Sequence, residues 1–69
     1  MKEDVIARLA RKHLDYTITV YFANEYIKGH WYAIDLHENT ISIHRQGKKN
    51  QSVIIDIDCI TAIEVEDHD

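Results

Sequence analysis

Between two apolar runs the chain carries a short polar step, Asp35, Leu36, His37, Glu38 and Asn39, inside IKGHWYAIDLHENTISI, residues 27 to 43. Asp35, His37 and Asn39 offer in turn an acceptor, a planar ring and a carboxamide that both donates and accepts. In a turn such groups have two uses. Asp35 and Asn39 can bond nearby backbone N–H groups and hold the turn, or the step can present its side chains to a ligand. Lys48 and Lys49 in RQGKKN form a second polar group, a solvated hairpin tip or a cationic contact. His30, His37 and His44 recur every seven residues but fall on different elements, so no metal set is expected. Cys59 is the only cysteine, expected as a small core residue. There is no nucleophile–base pair, phosphate loop or metal-ligand spacing. The chain is not read as an enzyme, and no cofactor or small-molecule substrate is expected.

Size narrows the classes further. A chain of 69 residues makes one domain, residues 1–69. At that length folding buries only about 60% of the unfolded surface, so a staple is normally needed. A lone cysteine excludes an internal disulfide, which leaves self-association. The first ten residues are charged and amphipathic, unlike a signal peptide, and no run approaches the roughly 20 apolar residues of a membrane span. A soluble, cytoplasmic protein without a membrane partner is the expectation. Net charge is −4, and residues 51 to 69 hold six acidic groups and no Lys or Arg. That balance argues mildly against a broad phosphate-binding surface, while leaving room for a local basic rim.

The elements that must position the step follow from periodicity. Val5, Ile6, Leu9, Ala10 and His13 or Leu14 recur at helical spacing. Glu3 and Asp4 at one end and Arg11, Lys12 and His13 at the other suit the helix dipole. The spacing predicts a helix from Glu3 to His13, within an N-terminal segment 1–14. Its basic face is either solvated or an aid to holding a phosphate backbone. From Tyr16 the period becomes two: Tyr16, Ile18, Val20 and Phe22 on one face, Thr17, Thr19 and Tyr21 on the other. A turn at Asn24-Glu25 leads to a strand from about Tyr26 to Leu36. Gly29 lies inside it and marks a strong bend or a close backbone approach. Trp31 reads as core or interface. Ile41 and Ile43 form the return strand, and Gly47 suits the hairpin that follows.

Val53, Ile54, Ile55 and Ile57, then Ile60, Ile63 and Val65, complete five strands over residues 16–65, with 66–69 as a frayed acidic tail. The fold class is mainly β: one helix, then a strongly bent five-stranded antiparallel barrel. The last two strands are apolar on both faces. One copy cannot bury both, so Val53, Ile55, Ile57, Ile60 and Ile63 are expected at a contact between copies. A bare edge of that composition is an aggregation hazard. A ring in which each last strand pairs with the next copy's penultimate strand removes it.

This order resembles the Sm-like family (Sm, LSm and bacterial Hfq proteins), and the residues match more specifically than the architecture. The first Sm signature has hydrophobic-x-Gly, five residues, Asp, three residues, Asn, then hydrophobics. Ile27-Lys28-Gly29, Asp35, Asn39 and Ile41 stand at that spacing, with His37 between Asp35 and Asn39 and Glu38 where methionine is common. Residues 53 to 63 lie over the second signature without a gap, but Asp56-Ile57 replaces its Arg-Gly or Lys-His. The resemblance implies a ring of roughly five to seven identical copies and single-stranded RNA as partner. It implies that His37 stacks on a base, that Asn39 bonds the base edge and that Asp35 braces the turn. Lys48 and Lys49 are added as cationic contacts. Asp56 in place of a cation keeps an alternative open, a ring without RNA that is a structural or protein-interaction module. A monomeric SH3-like or OB-like barrel is the fold alternative.

Overall fold

The computed structural model describes residues 1–48 and 50–66. Helix α1, Glu3–His13, comes first. Strands β1 (Thr17–Phe22), β2 (Glu25–Asp35), β3 (Thr40–Arg45) and β4 (Ser52–Asp56) follow. A single 3-10 turn, Ile57–Cys59, then leads into β5, Ile60–Val65. The strands form one antiparallel sheet in the order β4-β3-β2-β1-β5. The helix, five strands and small barrel-like shape expected from periodicity are all present.

The bend is built into β2. Its first half pairs with β1 and its second half with β3, and the two ladders overlap only at Gly29 and His30. Gly29 is buried where β3 crosses closest, and a Cβ on it would overlap the carbonyl oxygen of His44. Glycine is needed here for space, not for a positive φ. Two residues later the register with β3 steps between Trp31 and Ala33, leaving Tyr32 as the extra residue of a bulge. A bulge raises local twist and re-aims a side chain.

The concave side of the sheet closes over one core: Ile6 and Ala10 of α1, Ile18, Val20, Trp31, Ile41, Ile43, Ile55, Ile57 and Ile60. Trp31 is fully buried, with its Nε1 donating to the Ala33 carbonyl at 3.1 Å. Only two residues of the helix stripe, Ile6 and Ala10, are buried, while Val5 and Leu14 lie exposed at its margins.

Three expectations need correction. The turn between β1 and β2 is Ala23-Asn24, not Asn24-Glu25, because Phe22 and Glu25 are already paired and Ala23 takes φ +51°. Glu66 is not frayed: its N–H donates to the Thr17 carbonyl at 3.0 Å and its carboxylate meets Lys28 at 2.7 Å. The remaining tail residues, 67 to 69, lie outside the described residues. The residues expected at a contact between copies are turned inward. Ile55, Ile57 and Ile60 are buried in the chain's own core, and Val53 and Ile63 are half-buried against it. Strand alternation then leaves Ile54 as the outward apolar side chain of β4, 68% exposed. No helix among the described residues is long and apolar enough to cross a membrane.

Candidate functional site

The step from Asp35 to Asn39 forms the turn between β2 and β3, and each polar residue has a distinct position. Asp35 closes the last rung with Thr40. Its Oδ1 accepts the Glu38 N–H at 3.0 Å, a bond that braces the turn. His37 is exposed at the tip, without a hydrogen-bond partner among the described residues. Asn39 has φ +60°, a left-handed conformation that Asn accepts more readily than most residues.

Asn39 is also tied to the end of the neighbouring strand β4. Its Nδ2 donates to Asp56 Oδ1 at 3.3 Å, and its carbonyl accepts the Ile57 N–H at 2.9 Å. The same Asp56 Oδ1 accepts the Asp58 N–H at 2.9 Å, capping the 3-10 turn. Asp56 thus holds two turns together, the job its short acceptor side chain suits. One amide hydrogen and the oxygen of Asn39 remain available for a ligand.

Lys48 is not part of this group. It sits on the hairpin after β3, at the opposite end of that strand from His37. Six residues of β3 separate the two ends, about 20 Å at the usual strand rise. Lys49 lies outside the described residues. The polar residues expected to act together therefore divide between two ends of the sheet.

The hairpin end holds an arrangement that sequence spacing concealed. His30 and His44 are direct cross-strand partners. Tyr32, re-aimed by the bulge and 45% exposed, lies over His44 with ring centroids 4.1 Å apart and planes inclined by 35°. Together with Arg45 and Lys48 they line an open hollow of about 1120 Å3. His30 Nδ1 donates to the Asp15 carbonyl at 3.0 Å, fixing that ring against the residue after the helix. Neither Arg45 nor Lys48 meets a carboxylate within ion-pair distance among the described residues, whereas Arg8 meets Asp4 and Lys28 meets Glu66. A heptad count put three histidines on separate elements; pairing brings His30 and His44 together and leaves His37 apart. The signal for the missed residues was the outward alternation of His30 and Tyr32 either side of the buried Trp31.

The outer face of β1, β2 and β5 carries another polar group. Tyr21 donates its hydroxyl to Glu64, a bond that holds its proton and raises its pKa above the usual tyrosine value. The hydrogen bond from Lys28 to Glu66 likewise raises the lysine pKa. Among the described residues no three of His, Cys, Asp and Glu are grouped to hold a metal ion, and Cys59 is an exposed free thiol instead of a core residue. Comparison with protein-family models, with curated proteins and with solved structures gave no match.

Proposed function

We propose that this chain is an Sm-like ring subunit. Copies close edge to edge into a homo-oligomeric ring of roughly five to seven. The ring binds single-stranded RNA at the turn from Asp35 to Asn39, as a chaperone or scaffold. The observation that carries the reading is the strand order. β4 and β5 end the sheet on either side, and each has one flank without a strand partner among the described residues. An open edge is a template for another strand. β5 of one copy against β4 of the next is a heterologous contact, and such contacts close into rings when the rotation fits. Ile54, 68% exposed on β4, and Leu36, 44% exposed, share a shallow hollow on the face of β2, β3 and β4 beside that edge, which a second copy would cover. At the turn, exposed His37 is free to stack on a base, beside the unused oxygen of Asn39.

The bond between Asn39 and Asp56 favours a second reading, a ring that takes no RNA at the turn and serves as a structural or protein-interaction module. Asp56 sets a negative charge near any bound phosphate, and like charges repel. Fluorescence anisotropy with labelled oligo-U and oligo-A at low salt separates the two. Saturable binding in the micromolar range, weakened by His37→Ala, supports RNA at the turn. A flat titration for a protein that still forms the ring leaves the module.

A further inference from the structure

The hollow at the hairpin end is distinct from the turn and is built wholly within one chain. Its floor is a ring pair on the outer face of the sheet, exposed Tyr32 over half-buried His44. Its rim carries two cations, Arg45 and Lys48, with no carboxylate paired to either among the described residues. Among the described residues Asp15 is the one acidic residue on the lining, and its carbonyl is engaged by His30. In a chain of net charge −4 this combination is local and specific. An aromatic ring with an open face accepts a nucleobase of any type, and cations on the same rim take the adjoining phosphate. A rigid bulge holds the ring, so little side-chain freedom is lost on binding.

We propose that this hollow binds a nucleotide unit of a single-stranded nucleic acid, with the base stacked on Tyr32 and the phosphate held by Arg45 and Lys48. The site is separate from the turn and needs no second copy. A strand could therefore be held at the hairpin end whether or not the turn engages RNA. The base contact is sequence-tolerant, because stacking uses the face of the ring and not the edge. The phosphate contact is salt-sensitive, because bound counterions are released from the strand.

The test is a titration of the 15N-labelled protein with single-stranded octamers of A and of U, and with AMP as the free-nucleotide control. Backbone shifts should move for Tyr32, His44 and Arg45 with either octamer. AMP should move the same signals only at much higher concentration. Tyr32→Leu should weaken octamer binding by about tenfold. Arg45→Gln combined with Lys48→Gln, which leaves the bulge and the ring pair intact, should weaken it and flatten its salt dependence. Shifts confined to residues 36–39, or octamer affinity unchanged in both variants, overturn the site. AMP binding without octamer binding overturns the assignment to a strand. Light scattering on the same sample keeps this result apart from the ring: a monomer that shows the hairpin-end shifts loses the ring and keeps this site.

Discussion

The Asn39 side chain reaches to the Asp56 carboxylate at the end of the adjacent strand, Nδ2 to Oδ1 at 3.3 Å, and joins the turn before β3 to the 3-10 turn after β4. Asn39 therefore has structural work beside any contact with a ligand. It adopts φ +60° and its carbonyl receives Ile57 N–H. Asn39→Ala should destabilise the fold by about 1–2 kcal/mol, from left-handed strain and the lost bond. Asn39→Gly should cost less, because only the bond is lost. Urea unfolding followed by Trp31 fluorescence measures both. Equal midpoints for wild type and Asn39→Ala would show the residue to be free of the fold.

Asp56 answers the same question from the other side. Asp56→Ala removes the cap on the 3-10 turn and should cost about 1 kcal/mol. Asp56→Arg should cost a similar amount yet strengthen binding of oligo-U, because a cation replaces an anion near the turn and Asn39 regains its amide. Thermal unfolding and anisotropy on one preparation read the two effects separately.

Gly29 tests the bend. Gly29→Ala puts a methyl group into the His44 carbonyl at the point where the two ladders of β2 overlap. Backbone cannot yield as a side-chain tip does, so a loss of about 1–3 kcal/mol or more is expected. That is a large part of the stability of a chain this short. The urea midpoint should fall with the slope unchanged.

The Tyr21 hydroxyl predicts a specific alkaline behaviour. Bonding to Glu64 raises its pKa in the folded state above the ordinary value. Stability from this group is thus fully present below the unfolded tyrosine pKa, near 10, and is lost as pH rises through the folded value. In a spectrophotometric titration Tyr21 should ionise above the ordinary tyrosine value. Tyr21→Phe should remove that late step and, at neutral pH, the contribution of the Glu64 bond, so the stability difference between the two proteins should vanish as pH rises through the folded value.

Local pattern carried most of the architecture. The 3.6-residue stripe bounded α1 at Glu3 and His13 because dipole-matched charges mark both ends. Alternation and β-branching located all five strands. Gly47 at φ +78° and the space-limited Gly29 were both legible as glycines with a purpose. What escaped depends on long-range register. The bulge at Tyr32 and the pairing of His30 with His44 exist only once β2 and β3 are aligned. Composition marked β4 as apolar on both faces, yet the inward set Ile55, Ile57 and Ile60 serves this chain's own core, leaving Ile54 outside. Lys48 sits near the turn in the sequence, but β3 carries it to the opposite end of the sheet.

In the proposed ring the open flanks of β4 and β5 meet between copies. Light scattering coupled to size exclusion, run on wild type beside Ile54→Lys, tests it directly. The account predicts a discrete particle several times the 8.1 kDa chain mass, and a shift toward smaller species when Ile54 is charged. A single 8.1 kDa species for the wild type, stable across concentration, would contradict it.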